Sequence, residues 1–450
     1  MTFRRHALQA ITVAFVTGAL TITPNARAAE PITLTARLAQ PVMKSGDRQT
    51  NYLRIGLNGC EPQRKADRTP VNVAFVIDRS GSMAGERIAQ AREAAIMAVK
   101  RLDDGDIASL VIFDDKVDVP VPARKVTDQS YFIDRIQQVG ARGNTAIYAG
   151  VDAGAAEVRK FKDPHRLNRV VLLSDGQANV GPRLPNEFAE LGRKLLAEGI
   201  SVSTIGLGAH YNEDLMLQLA RAADGNHAFA SAPTDLIQIF NREFNDVLAS
   251  CAQMVSIDVE LKPGVHAVRA LSRDGTIEDA HARFQLAQVY AATEHYVLME
   301  VAFDTTAAAD EREVGVVRVA YTAPESGARQ TLEAPILARF SANEADVTAN
   351  ADKIVMASVI EQSTRERAAR AVALRDQGRV EEARALLSEN TREINAYVAS
   401  TPSAALSSMA KQYDGLIAGL TKPGRWNEQR KQLRQMDSGG AALFGLVPRY

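Results

Sequence analysis

The sequence predicts an α/β fold: a doubly wound, mostly parallel sheet inserted in an antiparallel β-sandwich and followed by an α-helical C-terminal region. Three observations predict it. Residues 71–248 alternate short apolar runs with helically spaced segments, residues 255–340 alternate apolar and polar positions with period two, and residues 350–435 are Ala-, Glu- and Arg-rich with helical periodicity.

The chain has 450 residues, a formal charge of −1, 46% hydrophobic and 24% charged residues, and two cysteines. That length implies more than one domain. The balanced charge excludes a generic nucleic-acid binder, which needs a strong field directed at phosphates. Two cysteines are too few for a disulfide scaffold or an all-cysteine zinc site.

Residues 1–28 read as a secretory signal peptide. Arg4 and Arg5 precede the apolar run 7–20, and Ala26-Arg27-Ala28 supplies a small-residue cleavage box. The run is shorter than the ~20 residues a membrane span needs. Its removal takes Arg4, Arg5 and Arg27 away and lowers the formal charge from −1 to −4. No later run is long enough to span. The mature chain is therefore expected outside the cytoplasm, periplasmic or secreted.

Residues 29–66 contain two alternating stretches, 32–38 and 51–58. Two isolated strands are only marginally stable, so they are expected to join the sandwich of 252–345. Within 67–250, the run 71–77 (VNVAFVI) is apolar on both faces, as a central parallel strand requires. A helix over 86–101 carries Ile88, Ala91, Ala95, Ile96 and Val99 on one stripe. Strands follow at 108–113 and 117–121, the second an antiparallel edge. Helices at 130–138 and 146–160 lead to a buried strand at 169–174. A helix at 185–198, a strand at 201–207, a helix at 213–223, a short strand at 227–230 and a helix at 233–248 complete the unit. In the helical region 346–435, residues 368–387 read as one helix–turn–helix unit with no second copy, and 436–450 as a loose Gly-rich tail.

Ligands of open parallel sheets bind at the carboxyl ends of the strands. Asp78, Ser80 and Ser82 lie there, in the sequence Asp78-Arg79-Ser80-Gly81-Ser82. Two comparable loops bring Thr145, in Arg142-Gly143-Asn144-Thr145, and Asp175, in Ser174-Asp175-Gly176. Two carboxylates and three hydroxyls are hard oxygen donors that suit Mg²⁺, and Mn²⁺ or Ca²⁺ less specifically. Each residue also has an ordinary reading: Ser80 and Ser82 as helix caps, Asp175 as a turn residue. The cluster Asp103-Asp104-Gly105-Asp106 lacks the spacing and closing Glu of an EF-hand. No Ser/His/Asp or Cys/His nucleophile set can be assembled, and Gly206-Leu-Gly208 lacks the third glycine of a dinucleotide fingerprint.

The oxygen set resembles the metal-ion-dependent adhesion site of von Willebrand factor type A domains. Asp78, Ser80 and Ser82 meet the family's Asp-x-Ser-x-Ser motif, Thr145 in GNTAIYAG meets its threonine, and Asp175 in LLSDGQANVG meets its strand-ending aspartate. The resemblance spans about residues 70–248 with no departure from the pattern. It implies a Rossmann-like fold in which Ser80, Ser82 and Thr145 touch the ion and Asp78 and Asp175 act mainly through waters. An open coordination position then attracts an Asp or Glu of a protein partner. The wider arrangement is loosely similar to exported bacterial proteins labelled as similar to calcium-activated chloride channel regulators and inter-alpha-trypsin inhibitor heavy chains.

His210, Asn212 and Asp214 lie on the site's side of the sheet and are candidate partner contacts, with Asn212 alternatively an N-cap. Cys60 and Cys251 flank the α/β unit, and a disulfide between them would clamp the insertion to its host. The leading expectation is a metal-dependent protein-binding module. The alternatives are a metal-assisted hydrolase using the same ion, which lacks an evident base, and a scaffold that binds through its C-terminal helices.

Overall fold

The computed structural model describes residues 32–61, 69–175, 178–208, 211–230, 250–305, 309–422 and 426–431, with Asp235, Ile239, Ala307 and Leu433 as single residues. The expected signal peptide, His210, most of the helix over 233–248 and the 436–450 tail lie outside them.

The chain opens with β1 (Ile32–Leu38), β2 (Val42–Lys44) and β3 (Gln49–Gly59). The α/β unit follows: β4 (Val71–Asp78), α1 (Glu86–Val99), β5 (Ile107–Phe113), β6 (Val117–Lys125), α2 (Gln129–Gln137), α3 (Ile147–Arg159), β7 (Leu167–Ser174), α4 (Pro185–Ala197), β8 (Ile200–Leu207), α5 (Glu213–Ala222) and β9 (His227–Ala230). Its sheet has the order β6-β5-β4-β7-β8-β9. All neighbours are parallel except the β5–β6 edge.

Every residue of β4, β5 and β8 is buried, because helices cover both faces of the sheet. Val71, Val73, Phe75 and Ile77 pack with α1 and α2 on one face. Ala74 and Val76 pack with α3, α4 and α5 on the other. Helix α3 approaches closely: a Cβ at Gly154 would stand 2.5 Å from Val76 Cγ2.

The β-region continues with β10 (Ser250–Leu261), β11 (Val265–Ala270), β12 (Gly275–Glu278), β13 (His281–Tyr290), β14 (Glu294–Phe303), β15 (Ala309–Thr322) and β16 (Arg329–Ser341). One sheet has the order β1-β3-β14-β11 and the other β12-β13-β10-β15-β16-β2. The front strands therefore complete sheets whose other members come after the whole α/β unit: β3 lies between β1 and β14. The two sheets enclose one apolar core that includes Leu53, Ile55, Ile257, Phe284, Val297 and Val319. Strand β2 lies outside the expected elements. It pairs in parallel with Arg339–Ser341 over only three residues, too short for a period-two signature.

The α/β unit enters after β3 and leaves before β10. The disulfide Cys60–Cys251 joins those two points, with a Cα–Cα distance of 5.8 Å. Beyond the sandwich run α6 (Glu344–Ala349), α7 (Lys353–Asp376), α8 (Val380–Ser400) and α9 (Ala404–Gly419). Helices α7 to α9 share their own core around Leu387, Ile394, Tyr413 and Trp426. The start of α7 packs Val355 and Val359 on Tyr296 and Leu298 of β14.

Candidate metal centre

Three loops meet at the carboxyl end of the parallel sheet. The first leaves β4 at Asp78, whose side chain is fully buried. Its Oδ1 accepts from the Ser80 backbone N–H at 2.7 Å and its Oδ2 from the Ser174 hydroxyl at 2.5 Å. Burial pushes the Asp78 carboxyl up to about 6, against the lowering effect of those hydrogen bonds. The second loop precedes α3, and Gly81 N–H donates to Gly143 O at 2.9 Å to fasten it to the first. Gly143 has φ +71°, and a Cβ there would lie 2.3 Å from Asp115 Oδ1, so only glycine fits. The third loop leaves β7 at Asp175.

Ser80 Oγ and Ser82 Oγ are 3.0 Å apart, and Ser82 Oγ donates to Asp175 Oδ1 at 2.8 Å. Asp78, Ser80, Ser82 and Asp175 thus stand together. Thr145 is buried at the adjoining rim: its N–H donates to Asn179 Oδ1 at 2.7 Å, and its carbonyl accepts from the Asn179 and Val180 N–H groups. No hydrogen bond joins the Thr145 hydroxyl to the Ser/Asp set among the described residues.

Four supporting residues stand outside the set read from the sequence. Ser174 holds Asp78 and Asn179 holds Thr145. Arg87, in the first turn of α1, pairs with Asp175 Oδ2 and donates to the Ser82 carbonyl at 2.9 Å. Asp114 gathers Arg79 at 3.0 Å and Arg142 at 2.9 Å, which ties the first two loops to the β5–β6 turn. Burial alone would raise the Asp114 carboxyl, but the Lys116 N–H and the two arginines hold it below the ordinary carboxylate range. Only adjacency to Asp175 could have marked Ser174; the others carry no local pattern.

The donor set fits a small hard cation. With Mg²⁺–O distances of 2.0–2.1 Å, neighbouring oxygens of an octahedron are about 2.9 Å apart. The Ser80–Ser82 hydroxyl separation of 3.0 Å matches that edge, and Asp175 stands one hydrogen bond behind Ser82. Among the described residues no group of three or more His, Cys, Asp or Glu side chains gathers as a ligand set, so an ion at this cluster would rely on hydroxyls as well as carboxylates.

Asn212 caps α5, accepting from Leu215 N–H at 3.2 Å, and Asp214 is half-buried beside it. Between them Glu213 is wholly buried, and Arg430 and Lys431 of the C-terminal segment pair with it. His227, below this point, accepts or donates to Thr204 Oγ1 at 2.9 Å and Tyr211 Oη at 3.0 Å.

A mostly parallel sheet covered by helices on both faces, with an oxygen-lined loop cluster at its carboxyl edge, defines a doubly wound α/β domain. Residues 72–242 match the von Willebrand factor type A domain model. The match covers the α/β unit, and it is this part of the chain that is similar to that family.

An uncharacterized protein of Synechocystis sp. is 25% identical over 279 residues, which cover 60% of this chain and 66% of that protein. The uncharacterized protein YfbK of Escherichia coli is 27% identical over 203 residues, 44% of this chain and 35% of its own length. Human inter-alpha-trypsin inhibitor heavy chain H3 is 28% identical over 172 residues, 36% of this chain and 19% of its own length. The match thus spans less than two thirds of each of these relatives. The structure of a von Willebrand factor type A protein from Catenulispora acidiphila shares the fold over 91% of this chain and 97% of its own, with a TM-score of 0.71 at 14% identity. Among the described residues no helix is long and apolar enough to cross a membrane.

Proposed function

We propose that this chain is a divalent-metal-dependent protein-binding module of the bacterial cell envelope, exported to the periplasm or beyond, that captures an acidic residue of a protein partner. Mg²⁺ is the proposed ion, with Mn²⁺ or Ca²⁺ as substitutes. The observation that carries this reading is the convergence of the Ser80 and Ser82 hydroxyls, 3.0 Å apart, with the Asp175 carboxylate behind them at the carboxyl end of the sheet. The hydroxyls of Ser80, Ser82 and Thr145 would hold the ion directly, and Asp78 and Asp175 mainly through waters. With its carboxylates held back in this way, the bound ion supplies an open, electrophilic position for an outside carboxylate.

The chain's own groups prepare that position. Ser174 and the Ser80 N–H fix the Asp78 carboxylate, and Asp175 orients the Ser82 hydroxyl. The Arg79–Asp114–Arg142 group locks the loops that carry them. The proposed reading is capture of a partner carboxylate without turnover.

The test is a crosslinked pull-down from the native envelope with the wild-type chain and with Asp175→Ala, each in Mg²⁺ and in chelator. One set of proteins captured by the wild type in Mg²⁺ alone is the expected result. Equal capture by the variant, or in chelator, would overturn the proposal.

A further inference from the structure

On one side of the sandwich each sheet ends on its own edge strand, β11 in one and β12 in the other. Two backbone bonds tie down the start of β11 here. Asp304 N–H, just past the end of β14, donates to Gly264 O at 2.9 Å. Ala267 N–H donates at 2.7 Å to Asp279 O, in the turn between β12 and β13. The second bond therefore crosses from one sheet to the other. β12 is four residues long, and three of the four are exposed.

His266 stands between those two bonds. Its Nδ1 lies 2.7 Å from Asp279 Oδ1, and its Nε2 lies 3.1 Å from Asp304 Oδ2. An ionised carboxylate only accepts, so each ring nitrogen must donate. Neutral imidazole carries one N–H and the imidazolium carries two. The arrangement therefore belongs to the charged ring.

The groups around the ring come from three other segments. Asp279 comes from the β12–β13 turn, Asp304 from beyond β14, and Arg48 from the segment before β3. Arg48 reaches the ring only through Asp304: it donates to Asp304 Oδ1 from Nε at 3.1 Å and from Nη2 at 2.7 Å. On β14 the residue paired with His266 is Ala302, which carries no charge. The hydrogen bonds to Asp304 and Asp279 raise the His266 imidazole above its ordinary 6.5. Those from Arg48 and His266 hold the Asp304 carboxyl below its ordinary range, so it stays an acceptor. A lone exposed ion pair contributes little. Here one ring is fastened at both nitrogens, to segments belonging to different sheets.

We propose that His266 is a pH-sensitive latch at this side of the sandwich. As the imidazolium it fastens the β12–β13 turn of one sheet to the end of β14 in the other, and as the neutral ring it releases one of them. Loss of the proton leaves a ring lone pair facing a carboxylate oxygen. Because the folded-state value is raised, the latch is closed below pH 6.5 and opens as pH rises through that higher value. Opening loosens the edge formed by β11 and β12. The latch is independent of the metal reading, since none of its residues belongs to the loop cluster.

Hydrogen exchange followed by mass spectrometry, on the full chain with its disulfide intact, tests the proposal. Exchange of the ring Cε1 hydrogen against pH reads the His266 midpoint. It is expected above 6.5 in the wild type and lower in Asp279→Asn. Amide exchange of peptides covering 264–281, corrected for its intrinsic pH dependence, reads the latch itself. The wild type is expected to lose protection severalfold as pH rises through the midpoint. His266→Gln, which cannot titrate, should show no such step. Asp279→Asn serves in its place if that variant does not fold, with the step moved to its own lower midpoint. A wild-type midpoint at or below 6.5 overturns the proposal. So does a step of unchanged size and position in both variants, which would place the pH response elsewhere.

Discussion

Glu213→Gln tests how the C-terminal segment is held to the α/β unit. Glu213 is wholly buried at the start of α5. Lys431 Nζ lies 2.9 Å from its Oε2, is itself 3% exposed, and stands 4.4 Å over the Tyr211 ring. Arg430 pairs with the other carboxylate oxygen and with Asp376 at 2.8 Å. Glutamine keeps the shape and removes the charge, which strands Lys431 without a counter-charge. Removing one partner of a buried pair costs about 3–5 kcal/mol. Docking of residues 426–431 should therefore weaken by roughly 10²–10³-fold or more.

Trp426 is the only tryptophan of the chain and is buried, so its emission reports undocking directly. The variant should show a red-shifted emission and faster quenching by iodide. The double variant Glu213→Gln/Lys431→Met should recover part of the loss, because no buried charge remains. The pH dependence follows from the same contacts. Burial pushes the Glu213 carboxyl up, but the hydrogen bonds and charges of Arg430 and Lys431 outweigh it and hold the group below the ordinary value of 4.5. Its contribution is thus present above pH 4.5 and lost as pH falls through the lower folded-state value. A variant with wild-type emission and quenching, or a double variant worse than the single, would refute the reasoning.

Three further perturbations have defined outcomes. Cys251→Ser opens the bridge across a separation of 191 residues, worth up to about 5 kcal/mol by chain entropy; a denaturation midpoint unchanged from wild type would show that the bridge does not stabilise the fold. His227 is held at about 4 by burial, with Glu213 raising and Lys431 lowering it, so stability should fall by about 1.4 kcal/mol per pH unit as pH drops from 6.5 toward 4. His227→Gln should flatten that slope in denaturant titrations, and an identical slope would count against the assignment. Arg87→Gln removes a positive charge from the Asp175 carboxylate and should tighten Mg²⁺ binding by about tenfold in calorimetry, whereas weaker binding would mean that Arg87 positions Asp175 rather than competing for it.

The fold class was legible because its signals are local. The continuous apolar run at 71–77 could only be a strand covered on both faces, and the alternation along 255–261 could only be a strand with one face covered. Asn212 carries its capping chemistry in its own residue type. The candidate site was legible as far as each strand end carries its own donors, which is why Asp78, Ser80, Ser82 and Asp175 stand out together. What supports them was not. Arg87 is one charged residue among many on a helix surface, and Asp114 gathers arginines from two other loops. The pairing of Glu213 with Lys431 joins residues 218 apart, and β2 joins residues near 42 to residues near 340. Such contacts are created by the packing of whole domains, and neither periodicity nor spacing encodes them.

Everything proposed for the loop cluster rests on the oxygens of Ser80, Ser82, Thr145, Asp78 and Asp175 holding a divalent ion. Titration of Mg²⁺ into the metal-stripped chain, wild type and Asp175→Ala, tests this most directly, with far-UV circular dichroism to show that both are folded. A saturable micromolar-to-millimolar isotherm is predicted for the wild type and none for the folded variant. The same isotherm for both, or none for the wild type, would contradict it.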